Sequence, residues 1–182
     1  MTIAGGPTQA QPGTASSLSQ AVANTINQIA EQIRHTLGRL RALFAEMDTL
    51  LANEPRDPGP MAPPALRALY QMNHAKWRAR VDAVQDKIDA LRRELAELEH
   101  QLAELGNRMV GAQRRDAQVL TVQSAGAQAY LASLQREVSV LGKEIDAARK
   151  SGATGGGLRA AYARVLPTLG RVSVAARGVP LV

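Results

Sequence analysis

The chain has 182 residues, a length that suits a single domain, and no cysteine, which excludes disulfides, thiol catalysis and cysteine-ligated metals. Only 3% of its residues are aromatic, so we do not expect a β-sandwich, a barrel or an aromatic-lined catalytic cavity. The net charge of +6 by itself suggests an anionic partner.

The positive charge is confined to the end of the sequence. Residues 1–146 contain 16 basic and 16 acidic side chains, and no acid follows Asp146. The sequence therefore predicts a neutral body with a basic, partner-binding tail. The cations of that tail are Arg149, Lys150, Arg159, Arg164, Arg171 and Arg177.

The N-terminal third of the chain predicts an arm followed by one long helix. Residues 1–16 are uncharged and rich in Gly, Pro, Thr and Gln, which is typical of a flexible arm. Ser17 and Gln20 match a capping box, a signal for the start of a helix. Apolar residues then recur at helical spacing, so we predict an amphipathic helix over residues 17–52. Its apolar stripe is wide enough to pack against at least two neighbours.

A proline-rich linker separates this helix from a predicted coiled-coil region. Residues 53–64 hold five prolines and a glycine, which end the helix. Residues 65–150 then carry two series of apolar residues spaced alternately by three and four, the pattern of a coiled-coil seam. The predicted interface consists of Val81, Val84, Ile88, Leu91, Leu95, Leu98, Leu102, Leu105, Met109, Leu131, Leu134, Val138, Leu141 and Ile145.

The two seams differ in phase by one residue, and two interpretations fit this break. Either one rod continues through a discontinuity, or the chain turns near residues 106–116 and forms an antiparallel hairpin. Gly106 and Asn107 are residues that commonly end a helix, so we favour the hairpin.

The charges that flank the first seam disfavour a parallel homodimer. In that arrangement Lys87 faces Arg92 of the second chain, and Glu94 faces Glu99. Both pairs carry like charges, each costing a few tenths of a kcal/mol at an exposed site. Antiparallel partners, within one chain or between chains, avoid these contacts.

Residues 151–182 combine a Gly-rich linker with the basic tail. Arginine is enriched at protein interfaces, so we expect the extended tail to dock on a protein partner. Phosphate binding to nucleic acid is the alternative, although Tyr162 is the one aromatic residue there and no base-stacking platform exists.

No group of residues predicts catalysis, a cofactor or a metal. Glu97 and His100 form a Glu-x-x-His pair, but the pair lies opposite the seam and lacks the further carboxylates of a di-iron bundle. Gly155 to Ala160 resembles a dinucleotide-binding loop only formally, since a helix rather than a strand precedes it.

No segment predicts a signal peptide or a membrane span. Residues 117–135 are uncharged and long enough to cross a bilayer, but they contain several glutamines and serines that hydrocarbon does not accept unpaired. The compartment stays open, with the virion and the cytoplasm both compatible.

The sequence thus predicts an elongated all-α protein: a coiled-coil hairpin plus an N-terminal amphipathic helix, with extended tails. We expect its apolar stripes to need another copy or a partner to cover them. The expected role is a non-enzymatic structural or adaptor subunit of a larger assembly, such as a virion, a phage tail or a secretion-type complex. It would assemble as a homo-oligomer, a hetero-assembly or both. The alternatives are a nucleic-acid-associated protein and a membrane-surface helical scaffold.

Overall fold

The computed structural model describes residues 6–115, 122–151 and 155–177, with side chains over residues 20–111, 126–151 and 156–177. Four helices account for most of these residues, and no strand occurs in them, which confirms the predicted all-α class. The helices are α1 (Gly6–Ala52), α2 (Pro64–Arg115), α3 (Val122–Lys150) and α4 (Gly155–Ala175).

The four helices pack side by side as a bundle in which each consecutive pair runs antiparallel. Helix α1 packs between α2 and α4, and α3 packs between the same two helices on the other side. An arginine–carboxylate pair joins each neighbouring pair of helices. These pairs are Arg39–Glu94 (3.2 Å), Arg92–Asp146 (3.1 Å), Arg171–Glu137 (4.0 Å) and Arg159–Asp48 (2.7 Å).

The core of the bundle is formed by one apolar stripe from every helix. All the residues predicted to form the coiled-coil interface are buried, except Met109, which is partly buried against the same cluster. Helix α1 adds its own stripe, from Ile26 to Leu51, and α4 adds Leu158 to Ala176. The expectation that the stripes need a second copy or partner is therefore corrected, because the chain covers them with its own helices.

The C-terminal region differs most from the sequence prediction. Residues 155–175 form α4 instead of an extended docking tail. Leu158, Tyr162, Val165, Leu169 and Val172 recur at spacings of three and four, and all are buried. Pro167 lies inside α4 at a cost of about 3 kcal/mol. Burial of several large side chains, each worth about 1.5–3 kcal/mol, outweighs that cost.

Two other boundaries also differ. Helix α1 begins at Gly6, ahead of the predicted start at Ser17, so it includes most of the predicted arm. Helix α2 continues through Gly106 and Asn107 to Arg115. Leu105 and Met109 still pack on the core at this point, and their burial outweighs the roughly 1 kcal/mol that glycine costs in a helix. Asp116, the last residue of the predicted turn region, lies outside the described residues, as do residues 1–5 of the predicted arm and residues 178–182 of the predicted tail.

Candidate interaction surface

Helix α2 extends beyond the end of the bundle. Trp77 donates a hydrogen bond from Nε1 to the carbonyl of Leu50, 2.7 Å away, in the last turn of α1. On the other side, Arg149 near the end of α3 contacts Gln85 and Asp89 of α2. Residues 64–76 of α2 therefore lie past the ends of both neighbours, over about 20 Å at helical rise. We call this segment, with the connection at residues 53–63, the overhang.

The overhang exposes large apolar side chains. Met61 is 95% exposed, and Leu66, Leu69 and Met72 are about half exposed. Half of the exposed large hydrophobic residues in the described chain lie in this one segment. A cluster of this kind on a small protein marks an interaction site more often than isolated exposed leucines do.

Three neighbouring rings on α2 pack against one another where the overhang meets the bundle. His74 lies between Tyr70 and Trp77, with ring centroids 5.5 and 5.2 Å apart. His74 Nε2 also lies 3.7 Å from a carboxylate oxygen of Glu54 in the connection. Together with the Trp77 hydrogen bond, these contacts fix the direction in which α2 leaves the bundle.

The connection itself turns at Gly59, which has a positive φ of 91°. Its N–H donates to Asp57 Oδ1 at 2.9 Å, and only glycine adopts this backbone conformation without strain. The turn leaves Met61 almost fully exposed beside the first turn of α2.

One exposed face of α2 changes character along the helix. It starts with Leu66 and Leu69, continues with cations and then with carboxylates up to Glu104, beyond which the same spacing reaches the exposed Arg108. We call it the α2 outer face; apart from the half-buried Ala90 and Gln101, its members are exposed. They are Leu66, Leu69, Asn73, Lys76, Arg80, Ala83, Lys87, Ala90, Glu94, Glu97, Gln101 and Glu104.

An acidic groove of about 610 Å³ lies between α1 and the acidic part of this face. Leu98 and the buried Thr36 line its bottom, and Glu31, His35 and Glu97 line its edges. Arg39 pairs with Glu94 beside it, whereas no ion pair within the described residues engages Glu31 or Glu97. The groove therefore carries negative potential.

Three of the six cations predicted to bind a partner form ion pairs within the chain. Arg149 pairs with Asp89 (3.2 Å), Arg159 with Asp48 and Arg171 with Glu137. Within the described residues, Lys150, Arg164 and Arg177 have no ion pair through their side chains, although the Arg177 carbonyl accepts a hydrogen bond from Arg34. The carboxylates that pair with these arginines lie on α1, α2 and α3. They are distant from the arginines along the sequence, so the C-terminal end has a basic composition.

The Glu97 and His100 side chains do not come together with other ligands. His100 lies 3.2 Å from Glu104, one turn further along α2. Within the described residues, no group of three or more His, Asp or Glu side chains is placed to hold a metal ion. Nor does any helix of that part of the chain have the length and hydropathy to cross a bilayer.

Sequence reasoning missed the environment of Tyr162. Its ring packs on Phe44 with centroids 5.4 Å apart and lines a cavity of about 410 Å³ between α1 and α4. Its hydroxyl is buried, and no described residue forms a hydrogen bond of good geometry with it, although Gln85 and Arg149 lie close by. Burial raises the pKa of Tyr162 above the ordinary value of 10.0, and the charge of Arg149 opposes that shift. The apolar spacing of α4 was the sequence signal that would have indicated that Tyr162 is buried.

Comparison with known proteins identifies no relative. No protein-family profile matches the sequence, and neither a curated protein nor a solved structure matches it significantly.

Proposed function

We propose that this protein is a non-enzymatic structural or adaptor subunit of a larger macromolecular assembly, which it joins through the overhang. The observation that carries the proposal is the exposure of Met61, Leu66, Leu69 and Met72 on a helix that extends past its own bundle. A preformed helical end with methionine and leucine side chains suits a protein groove, because its backbone is already ordered and its methionines adapt to the shape of the groove.

The charge around the overhang supports the same role. The overhang carries Arg56, Arg67 and Lys76 against the carboxylates of Glu54 and Asp57, and Arg80 follows it, whereas Arg78 pairs with Asp82. Cations beside an apolar surface steer it towards an acidic partner and fix its orientation. The preferred partner is therefore a protein with an apolar groove and an acidic rim.

The ion pairs of Arg149, Arg159 and Arg171 favour protein docking over nucleic-acid binding. Each of these arginines already has a carboxylate partner on another helix, so phosphates would have to compete for it. Lys150 and Arg164 are the cations to replace by glutamine in a DNA-binding assay. An affinity for DNA that falls with both replacements would support the nucleic-acid alternative.

The test of the proposed function is the size of the native complex. In an extract of cells that produce the protein, we expect it to elute from a sizing column far above its chain mass of 19.4 kDa. Replacing Leu66, Leu69 and Met72 by aspartate should move it to the size of the free protein. Val140→Asp together with Val174→Asp is the matched control, since both residues are exposed but lie on α3 and α4.

Elution of the unmodified protein at its free size in a fresh extract would contradict the proposal. So would a triple aspartate variant that stays in the large complex while circular dichroism shows the full helical content.

A membrane-surface scaffold is the second candidate, since the overhang combines apolar side chains with cations. Such a surface binds anionic bilayers by inserting its apolar residues at the headgroup level. Sedimentation with vesicles of phosphatidylcholine alone and with added phosphatidylserine separates the two candidates. Binding that needs the anionic lipid and is lost in the triple aspartate variant would favour the membrane.

A further inference from the structure

We propose that the α2 outer face is self-complementary and that two copies of this chain pair through it, antiparallel, about a two-fold axis near Ala90. The inference deepens the proposed function by naming a second copy as one partner. It rests on the proposed function only in assuming that the exposed side of α2 is a docking surface.

The buried seam cannot serve as the contact between copies. Its apolar residues pack inside the bundle, against α1, α3 and α4. A contact between folded copies therefore has to use an exposed face. The α2 outer face has apolar side chains near one end and a cationic and an acidic block that follow one another along the helix.

The order of those two blocks fits antiparallel pairing. Lys76, Arg80 and Lys87 come first along α2, and Glu94, Glu97 and Glu104 follow, with Ala90 between the blocks. Two such helices laid antiparallel bring each cationic block against the acidic block of the other copy. A parallel pair would instead put Lys76 against Lys76 and Glu97 against Glu97, which is repulsive.

The spacing within the blocks brings two of the three cations opposite a carboxylate, while Arg80 faces Gln101 and Glu97 faces Ala83. When Ala90 lies on the axis, residues whose numbers sum to about 180 face each other. Lys76 of one copy then faces Glu104 of the second, which also lies beside its own His100, and Lys87 lies beside Glu94, which also pairs with its own Arg39. A two-fold axis repeats every one of these contacts.

The remaining surface is compatible with the same register. Ala83 and Ala90 are small, so the two helices can approach closely at the centre. Leu69 at one end lies opposite Gly111, next to the exposed Val110, which is 42% exposed. Arg80 comes to lie opposite Gln101, one of the residues that line the acidic groove of the second copy.

Cysteine cross-linking tests this register directly, because the chain contains no cysteine. Ala90→Cys should form a disulfide-linked dimer on mild oxidation, since the axis brings the two copies of this residue together. Ala132→Cys on the exposed side of α3 is the matched control and should stay monomeric. Equal cross-linking of the two variants, or none at position 90, would overturn the proposed register.

Charge reversal tests the complementarity. One variant carries Lys76→Glu, Arg80→Glu and Lys87→Glu, and the other carries Glu94→Lys, Glu97→Lys and Glu104→Lys. In sedimentation equilibrium at low salt, each alone should dimerise at least about tenfold more weakly than the unmodified protein. An equimolar mixture should form a one-to-one dimer, because one face is then wholly acidic and the other wholly basic.

Arg136→Glu, Lys143→Glu and Lys150→Glu on α3 form the control for the change in net charge, and this variant should dimerise normally. Circular dichroism and thermal melting check that every variant is folded. The proposal is wrong if the unmodified protein stays monomeric at all concentrations, or if the mixture of reversed variants does not associate. The proposed function fails separately, when the protein in the cell extract elutes no larger than the purified protein does.

Discussion

Replacing Gly142 by alanine tests how α3 accommodates Arg92. Gly142 is buried in the middle of α3, and the guanidinium of Arg92 lies directly over its Cα on the way to Asp146. A Cβ added at Gly142 would lie 2.6 Å from Arg92 Cζ, a distance that real contacts do not reach. The guanidinium would therefore have to shift, and we expect this shift to disrupt its ion pair with Asp146.

The expected net effect on stability is close to zero because two terms oppose each other. Alanine favours the helix over glycine by about 0.8–1 kcal/mol. Loss of the Arg92–Asp146 pair costs up to about 1 kcal/mol, the upper range for a partly exposed pair, since the Arg92 side chain is 22% exposed. Gly38→Ala on the exposed side of α1 has nothing within 4 Å of the new Cβ and should give the full gain of about 1 kcal/mol.

Urea unfolding followed by circular dichroism measures these differences in the free energy of unfolding. A double-mutant cycle isolates the contact: in an Arg92→Ala background, Gly142→Ala should stabilise by about 1 kcal/mol, as Gly38→Ala does. The reasoning is refuted if Gly142→Ala stabilises the unmodified protein as much as Gly38→Ala does. It is also refuted if its effect is the same in both backgrounds.

Three further predictions concern the core and use the same unfolding assay. Leu95→Ala should lower the free energy of unfolding by about 2–5 kcal/mol, because Leu95 is fully buried, whereas Leu166→Ala at an exposed site should change it by less than about 0.5 kcal/mol. Trp77→Phe should lower the free energy of unfolding by about 1 kcal/mol, because it removes the hydrogen bond to the Leu50 carbonyl. Amide hydrogen exchange in the last turn of α1 should then become faster, and unchanged exchange there would show that the bond is dispensable. Tyr162→Phe should stabilise by about 1 kcal/mol at neutral pH, because it removes a buried hydroxyl that lacks a good partner. Burial raises the pKa of Tyr162 in the folded state, so above a pH of about 10 the unfolded chain loses this proton more readily than the folded protein does. The unmodified protein should therefore lose stability as the pH rises past about 10, and Tyr162→Phe should lose less; equal losses in the two proteins would contradict this.

The helical class and most of the core could be predicted from apolar spacing. Alternating steps of three and four over Val81 to Met109 suffice to place one stripe of α2 on a core, whatever covers that stripe. The same spacing in α4 is less evident from the sequence because it is interrupted by Pro167, a residue that ordinarily ends a helix. A proline stops a helix only when nothing larger favours its continuation, and here the burial of Leu169 and Val172 does.

The candidate surface was harder to predict because the exposure of its side chains depends on where the neighbouring helices end. The spacing of the seam, extended back from Val81, leaves Leu66, Leu69 and Met72 off the core stripe, but it does not show whether another helix covers them. They stay exposed because α1 ends at Ala52 and α3 at Lys150, so no neighbouring helix lies beside this part of α2. The sequence likewise could not pair the C-terminal arginines, whose carboxylate partners lie on three other helices.

The sequence by itself thus determined the helical class, the apolar stripes and the segregation of net charge, because each depends on residue type and spacing along one chain. Only the tertiary structure decided what covers those stripes and what balances that charge. Both depend on which helices become neighbours, and here the chain's own α4 takes the place that a second copy was expected to fill.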